Sequence, residues 1–318
     1  MALVGLVTLG VASETQEGLS WVSMMWNGVE RQYAAYTPEE VSHPQTLVLL
    51  LHGGGGNIAG VWSSEFGISW RSLADRHGFV VCLPEGRPDP DESDAHHWND
   101  GRIETENPAV TSTEDDVGFI LSILDRVREI GPDGESRVFV VGVSNGGMMA
   151  YRLAAEAGAR FTAVAAVIAN LPDPSECAAP LRPVPLLIMN GSSDPIMPPK
   201  GGCVTRSSCD RGRVMSTADT ISFWVTSNLA EATPRVESLP DRVSEDASTV
   251  TVYRFDASPA GAPVVYYHVE GGGHNVPGPE PIGALRRLLA GAKNRDIDAA
   301  TEIWSFFSSF EASEDRTE

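Results

Sequence analysis

The sequence predicts an α/β fold with a mostly parallel central sheet and helices on both of its faces. Two observations lead to this prediction. Strand-like and helix-like segments alternate along most of the 318 residues. Several of the strand-like segments are continuously apolar, which is typical of strands covered on both faces. Hydrophobic residues make up 42% of the chain, enough for a sizeable core.

The first part of the chain predicts a hairpin followed by buried strands. Alternating apolar segments flank Asn27-Gly28, a typical hairpin turn, so residues 20–36 are expected to pair. Strands are then expected at 46–51 and 78–83, with a helix at 70–77 between them. Residues 86–113 are rich in Pro, Asp, Glu, Ser and Thr without a clear period, which predicts a long loop.

The alternation continues to a last amphipathic helix. Helices are expected at 115–130, 148–156, 217–229 and 301–310. Five apolar runs predict strands at 137–141, 163–169, 184–189, 250–255 and 264–269. Residues 191–215 are expected to form a loop, and residues 231–248 a polar linker.

We expect one domain, because no repeat and no Pro/Ser-rich linker divides the chain. It is assigned to residues 20–312, between an N-terminal extension at 1–19 and an acidic tail at 313–318. The apolar start lacks the basic residues of a secretory signal, so a signal remnant and a docked extension both stay open. No run approaches the roughly 20 apolar residues of a membrane span.

Charge and cysteine content narrow the classes of partner. The formal net charge is -20, from 43 acidic and 23 basic residues, which argues against binding to nucleic acid. Cys82 lies in an apolar run and is expected to be a buried thiol. Cys203 and Cys209, six residues apart in a Gly/Ser-rich loop, could close a disulfide. No Cys/His spacing suits a metal, so neither a metal nor a cofactor is expected.

The most informative motif is Gly142-Val143-Ser144-Asn145-Gly146, between an apolar strand and a helix-forming run. A serine on such a tight turn has an exposed hydroxyl, and the glycines leave room for the neighbouring strand and helix. The helix N-terminus behind it favours developing negative charge. The five residues alone also fit a plain Gly-rich turn, but their context favours a nucleophile.

A serine nucleophile needs a base, and the base needs an orienting carboxylate. Asp194 directly follows the strand 184–189, unlike its rivals, which are Asp173, Asp210 and Asp219. His274 follows three glycines after the strand 264–269, whereas His268 lies within that strand. The order Ser144, Asp194, His274 is the chain order of α/β-hydrolase triads.

An oxyanion hole needs two backbone donors. One is expected from Asn145, and the other from the glycine run after the strand 46–51, first from Gly54 and next from Gly55. His52 is expected to brace this loop. The run also fits G-x-G-x-x-[GA], but Asp75 precedes the next strand rather than ending it, which disfavours dinucleotide binding.

The long loop contains His96-His97-Trp98. Adjacent histidines do not easily bind one ion together, and no third ligand has a suitable spacing, so a metal site is disfavoured. Trp98 could contact an acyl or aromatic group of a substrate, or it could anchor the loop in the core. Both interpretations stay open.

Seven motifs fall in one order and together resemble one family. They are residues 51–57 (LHGGGGN), 84–86 (PEG), 98–102 (WNDGR), 115–120 (DDVGFI), 142–149 (GVSNGGMM), 190–198 (NGSSDPIMP) and 271–274 (GGGH). The chain from about residue 30 to about 310 resembles the polyhydroxybutyrate depolymerase/feruloyl esterase family of α/β-hydrolases. The resemblance implies a serine carboxylic-ester hydrolase with an acyl-enzyme, a triad of Ser144, Asp194 and His274, a structural role for Asp116, and secretion or a cell-envelope location.

The sequence departs from the family in the residues after His274. Members often carry an aromatic residue two positions after the catalytic histidine, where Val276 stands here, so Val276 is a candidate substrate contact. No separate polymer-binding domain follows, so soluble esters or oligoesters are the expected substrates. The alternatives are an amidase, peptidase or acyltransferase on the same fold, and a ligand-binding pseudo-hydrolase.

Overall fold

The structure is a computed structural model that describes residues 18–39, 45–103, 105–107, 110–111, 115–130, 137–175, 177, 180–205 and 208–310. The strands are β1 (Ser20–Trp26), β2 (Val29–Tyr36), β3 (Thr46–Leu51), β4 (Val80–Pro84), β5 (Arg87–Pro88), β6 (His96–His97), β7 (Arg137–Val143), β8 (Ala163–Val167), β9 (Leu186–Gly191), β10 (Gly202–Cys203), β11 (Arg213–Val214), β12 (Arg235–Ser238), β13 (Thr249–Phe255) and β14 (Val264–Glu270). The α-helices are α1 (Ile58–Ser63), α2 (Glu65–His77), α3 (Asp116–Ile130), α4 (Asn145–Ala157), α5 (Thr217–Ser227), α6 (Ala284–Ala290) and α7 (Ala299–Ser308).

Ten strands form one sheet in the order β1-β2-β4-β3-β7-β8-β9-β14-β13-β12. The six strands from β4 to β14 run parallel, and antiparallel strands extend the sheet at both edges. This arrangement confirms the predicted α/β-hydrolase fold with a mostly parallel sheet. The remaining strands form two short ribbons, β5–β6 and β10–β11.

Two core layers cover the faces of the sheet. Successive side chains of a strand point to opposite faces. Leu49 and Leu51 of β3 therefore pack with α3, α4 and α5, while Val48 and Leu50 pack with α1, α2 and α7. All four side chains are fully buried, which explains why the strand is continuously apolar in sequence.

The hairpin and most helices agree with the sequence prediction, but the region before β4 differs. The predicted helix at 70–77 begins at Glu65, and a separate helix, α1, precedes it. The side chains of Asn57 and Ser64 cap the two helices by accepting from the N–H groups of Gly60 and Gly67. Gly60 and Gly67 lie in the first turns of these two helices. Because glycine disfavours a helix, the sequence did not indicate where either helix begins.

Three further predictions of irregular structure are corrected. The polar linker at 231–248 contains β12, whose four residues are all exposed at the edge of the sheet. The loops 86–113 and 191–215 contain the two ribbons. Helix α6 is an element that was not predicted, although Leu285, Leu288 and Leu289 have helical spacing; all three side chains are exposed.

The expected N-terminal extension and acidic tail lie outside the described residues, except for Gly18 and Leu19. Leu19 is buried in the core layer of α1, α2 and α7. Among the helices that the structure describes, none combines the length and apolar character needed to cross a membrane.

Asp116 begins α3 and forms a buried ion pair with Arg31. Its Oδ1 accepts from the Arg31 guanidinium at 2.8 Å, and its Oδ2 accepts from the N–H of Asn99 at 2.8 Å. The guanidinium also donates to the carbonyl of Glu85 and lies 4.0 Å above the centre of the Phe119 ring. These contacts join β2, α3 and the segment that follows β6.

We expect Asp116→Ala to lower the free energy of unfolding by about 3 to 5 kcal/mol, because it leaves Arg31 charged and unpaired inside the protein. Urea denaturation followed by circular dichroism measures the change. The matched control is Asp256→Ala, which removes the partner of Arg235 in an ion pair whose side chains are 47% and 70% exposed. This change should leave the midpoint nearly unaltered, and equal effects of the two variants would contradict the prediction.

Candidate active site

Ser144 lies between the last residue of β7 and the first residue of α4. Its backbone has φ of 56° and ψ of −117°, a conformation that L-residues rarely adopt. The N–H of Ser144 donates to the carbonyl of Val167 on the adjacent strand at 2.9 Å. This sharp turn leaves the Ser144 side chain half-buried, while the helix residues behind it are buried.

The glycines around Ser144 allow the close approach of other backbone segments. A Cβ on Gly142 would lie 2.0 Å from the carbonyl oxygen of Gly146. A Cβ on Gly146 would lie 2.4 Å from the carbonyl oxygen of His52. Any side chain at either position would therefore separate β7, α4 and the loop after β3.

The structure brings Ser144, His274 and Asp194 together in one hydrogen-bonded chain. Nε2 of His274 lies 3.0 Å from Oγ of Ser144, and its Nδ1 lies 2.7 Å from Oδ2 of Asp194. The other carboxylate oxygen, Oδ1, accepts from the N–H groups of Ile196 and Met197 at 2.8 and 2.7 Å. Three residues from the ends of β7, β9 and β14 thus meet at the carboxyl edge of the sheet.

The loop that carries His274 is attached to the segment at the end of α6. The N–H of His274 donates to the carbonyl of Ala290 at 2.5 Å. The side-chain amide of Asn275 donates to the carbonyl of Gly291 at 3.0 Å, and its oxygen accepts from Arg286 at 2.8 Å. These bonds fix the backbone of the loop on which His274 lies.

The loop after β3 approaches the turn at Ser144. A Cβ on Gly54 would lie 3.2 Å from Cβ of Asn145, so the two backbones are close neighbours. Asn145 is the first residue of α4, and the N–H groups of a first helical turn have no acceptor within the helix. Among the described residues, no hydrogen-bond acceptor is found for the N–H of Gly54. Both donors are therefore available.

The prediction that Gly55 is a second choice for the oxyanion hole is wrong. Its N–H donates to the carbonyl of His96 at 3.0 Å, because His96 pairs with this loop as an additional short strand. His52 braces the same loop. Its Nε2 accepts from the N–H of Gly86 at 3.0 Å, and its Nδ1 therefore carries the proton and donates to the carbonyl of Gly53 at 2.8 Å.

The side chain of Asn145 has a role that the sequence did not predict. Its oxygen accepts from the N–H of Trp98 at 2.8 Å, and its amide donates to the carbonyl of Trp98 at 3.0 Å and to Asp100 at 2.6 Å. Asp100 is itself fully buried and paired with Arg102. Asn145 thus fastens the loop after β6 to the turn at Ser144. A polar residue at the start of a buried helix was the available signal.

The structure favours the loop-anchor interpretation of Trp98 and places Val276 beside the core. Trp98 is fully buried, and its indole N–H donates to the carbonyl of His52 at 3.0 Å, so it anchors the loop beneath the glycine run. Val276 packs against the core layer of α1, α2 and α7. The pocket into which Ser144 opens is lined by other residues.

The pocket at Ser144 is lined by more polar than apolar side chains. Its polar residues include Asp89, Glu92, His97, Thr105, Asn107 and Arg211. Its apolar residues are Val110, Met148, Ile196 and Val204. Within the described part of the chain, no three His, Cys, Asp or Glu side chains are grouped as metal ligands.

The loop between β10 and β11 contributes Val204 and Arg211 to this pocket. A disulfide joins Cys203 and Cys209 within the loop. The guanidinium of Arg102 donates to the carbonyl of Arg211, which ties the loop to the segment after β6. Cys82 lies away from the pocket, where burial raises the pKa of its thiol to about 12.

Comparison with known proteins identifies relatives of this chain. No family model matches the sequence. The chain is 30% identical over 261 residues to NocK of Nocardia uniformis subsp. tsuyamanensis, a protein assigned as an esterase, and the match covers 77% of this chain and 71% of NocK. It is 30% identical over 185 residues to feruloyl esterase C of Emericella nidulans, covering 55% of this chain and 61% of that protein.

A solved structure with a similar fold is the acetyl xylan esterase from Aspergillus awamori. The TM-score is 0.60 at 14% identity, and the match covers 92% of this chain and 100% of that one. At this identity the likeness concerns the fold alone. The family follows from the sequence match to NocK, which extends over most of both chains. The chain therefore belongs to the esterase family of α/β-hydrolases, and it is a serine-type carboxylic-ester hydrolase.

Proposed function

We propose that the protein hydrolyses soluble carboxylic esters or oligoesters with Ser144 as nucleophile, His274 as general base and acid, and Asp194 as the carboxylate that orients the imidazole. The observation that carries this proposal is the hydrogen-bonded chain of the three side chains, at 3.0 and 2.7 Å. The N–H groups of Gly54 and Asn145, whose backbones are close neighbours, are the proposed oxyanion hole.

The hydrogen bonds of Asp194 determine which imidazole nitrogen is basic. The carboxylate accepts the proton of Nδ1 of His274, so the lone pair of Nε2 faces Oγ of Ser144. As Oγ attacks the ester carbonyl, its proton moves to Nε2, and the carbonyl oxygen becomes an oxyanion between the two N–H groups. The negative charge of the buried Asp194 carboxylate stabilises the imidazolium that forms.

The remaining steps use the same groups, with Nε2 of His274 first giving up a proton and then accepting one. The alcohol leaves with the proton from Nε2, and the acyl group remains on Oγ of Ser144. Water then gives a proton to Nε2 as it attacks the acyl carbonyl, and Nε2 passes this proton to Oγ of Ser144 as the bond between Oγ and the acyl group breaks and the acid is released. No step requires a metal or a cofactor.

The substrates that we propose are esters of hydroxyalkanoates or hydroxycinnamates. The polar lining of the pocket supports esters that carry polar groups, and one relative is named a feruloyl esterase. A location outside the cytoplasm is part of the proposal, because the Cys203–Cys209 disulfide suits an oxidising compartment. Recovery of the activity in the cell interior alone would contradict that location.

Covalent labelling tests the nucleophile. A fluorophosphonate should modify Ser144 once per chain, and peptide mapping by mass spectrometry should find the label there. A label on another serine, or none at all, would reject the assignment. Rates on matched hydroxyalkanoate, hydroxycinnamate, acetyl-sugar and synthetic-polyester model esters then rank the substrate classes.

A substitution in the glycine loop tests the oxyanion hole. Gly54→Ala should lower kcat by on the order of tenfold to a hundredfold, because the new Cβ would lie 3.0 Å from Nδ1 of His97 and would push the Gly54 N–H away from the oxyanion. Gly283→Ala is the matched control, since no atom lies within 4 Å of its added Cβ. An unchanged kcat in Gly54→Ala would place the second donor elsewhere.

A further inference from the structure

A second histidine–carboxylate pair faces the same pocket as Ser144. Nε2 of His97 lies 3.3 Å from Oδ2 of Asp89, and both residues line the pocket. The side chain of His97 is 15% exposed and that of Asp89 is 11% exposed. Neither residue belongs to the chain of Ser144, His274 and Asp194, and the hydrolysis derived above does not use them.

The backbone holds His97 in place on both sides. His97 pairs with Arg87 in the ribbon β5–β6, and the neighbouring His96 exchanges hydrogen bonds with Gly55 and Gly56 of the glycine loop. The next residue, Trp98, is fastened to Asn145. The imidazole therefore has a defined position relative to the proposed oxyanion hole.

Asp89 determines which nitrogen of His97 carries the proton. The N–H of Asp91 donates to Oδ1 of Asp89, and the amide of Asn107 donates to its Oδ2. The first of these bonds is the main reason why the pKa of Asp89 lies below its ordinary value, so the carboxylate is ionised. An ionised carboxylate beside Nε2 keeps the proton there, and Nδ1 is left as a hydrogen-bond acceptor.

Nδ1 of His97 is directed at the glycine loop. It lies 3.0 Å from the position of a Cβ on Gly54, next to the backbone that would bind the ester carbonyl oxygen. Nε2 pairs with Asp89, but no hydrogen bond to a described residue is found for Nδ1. It is therefore a free acceptor beside the reacting group.

The surrounding charges favour a neutral imidazole. Burial is the largest cause that lowers the pKa of His97, and the nearby Arg102, Arg211 and His52 lower it further, against the opposite effect of Asp89. Glu92 is a further acidic residue that lines the pocket. At neutral pH the ring is therefore uncharged and accepts a hydrogen bond rather than attracting an anion.

We propose that His97, oriented by Asp89, is a specificity-determining residue whose Nδ1 accepts a hydrogen bond from a hydroxyl group of the ester substrate. This inference rests on the proposed function. An ester without the hydroxyl would leave Nδ1 buried and unpaired, which costs free energy at the bound state and the transition state alike. The favoured substrates are accordingly hydroxylated esters.

The hydroxyl group can belong to the acyl part or to the alcohol part, and two pairs of esters distinguish these sources. In the acyl arm, p-nitrophenyl 3-hydroxybutyrate is compared with p-nitrophenyl butyrate. In the alcohol arm, 2-hydroxyethyl butyrate is compared with propyl butyrate. The quantity measured in each arm is the ratio of kcat/KM for the hydroxylated ester to that for its partner.

His97→Leu and His97→Asn are matched variants, because Leu and Asn have similar shapes but only Asn offers an acceptor near the position of Nδ1. His97→Leu should lower the ratio by roughly tenfold in one arm, the loss of one good hydrogen bond. His97→Asn should keep most of the ratio. His268→Leu, in the exposed His268–Glu270 pair on β14, is the control and should leave both ratios as they are.

Asp89→Leu is a second variant that does not alter the imidazole itself. Without the carboxylate, the proton of the ring is no longer held on Nε2, so the same ratio should fall by about threefold. The inference would be overturned if the ratios in both arms stayed constant in His97→Leu. If that variant does not fold, constant ratios in Asp89→Leu would overturn it. The proposed function would stand in that case, because its nucleophile is tested separately by fluorophosphonate labelling of Ser144, which does not depend on His97.

Discussion

Replacing Ser144 by alanine should lower kcat/KM for p-nitrophenyl butyrate by on the order of 10⁴-fold to 10⁶-fold, as in serine hydrolases that lose their nucleophile. No acyl-enzyme can form without Oγ, and the groups that remain only bind the substrate and polarise its carbonyl. Initial rates at substrate concentrations well below KM measure the effect. Circular dichroism should show an unchanged fold, because Oγ of Ser144 belongs to a half-buried side chain whose hydrogen bond is to the imidazole of His274.

Ser144→Gly is the informative companion variant. Both substitutions remove the nucleophile, but only glycine relieves the backbone conformation at φ of 56° and ψ of −117°. We therefore expect Ser144→Gly to be more stable to unfolding than Ser144→Ala by about 1 kcal/mol or more. Turnover that survives in both variants would place the nucleophile elsewhere, and equal stabilities would show that the turn is unstrained.

The second large effect is expected in Asp194→Asn, which should lower kcat by on the order of 10⁴-fold. An asparagine oxygen at the position of Oδ1 can still accept from the N–H groups of Ile196 and Met197, so the side chain keeps its orientation. Its NH₂ group then replaces Oδ2 and donates to Nδ1 of His274. The proton of the imidazole moves to Nε2, which can no longer accept the proton of Ser144.

Raising the pH should restore little of the activity that is lost in Asp194→Asn. In this variant the neutral imidazole still carries its proton on Nε2, so a higher pH does not produce a base that faces Ser144. A pH profile of kcat tests this expectation. Asp219→Asn changes a rival acidic residue, in the first turn of α5, and serves as the control. If Asp219→Asn were as inactive as Asp194→Asn, the assignment of the carboxylate would be wrong.

Sequence alone predicted the features that depend on position along the chain. Continuous apolar runs such as 46–51 indicated strands buried on both faces, and parallel strands end at one edge of a sheet. Residues directly after such strands, including Ser144, Asp194 and His274, were therefore expected to meet, and the structure brings them together. Short-range turn chemistry at Asn27-Gly28 likewise predicted the hairpin of β1 and β2.

Features that depend on the direction of a side chain or an N–H group could not be predicted in this way. Trp98 lies on a polar loop, but its ring points into the core, and no local pattern indicates that direction. Gly54 and Gly55 are adjacent and alike in sequence, yet only the N–H of Gly55 is bonded to His96. The sequence around His97 indicates no partner for its imidazole, because Asp89 and Gly54 approach it through long-range folding.

The proposed site also depends on how the chain folds, since its members are far apart in sequence. His274 contacts residues 80 and 130 positions away, and these contacts exist only when β14 lies beside β9 in the finished sheet. Contacts between distant residues form late, because closing long loops costs entropy. The recovery of esterase activity should therefore report the last stage of refolding, later than the return of helical structure.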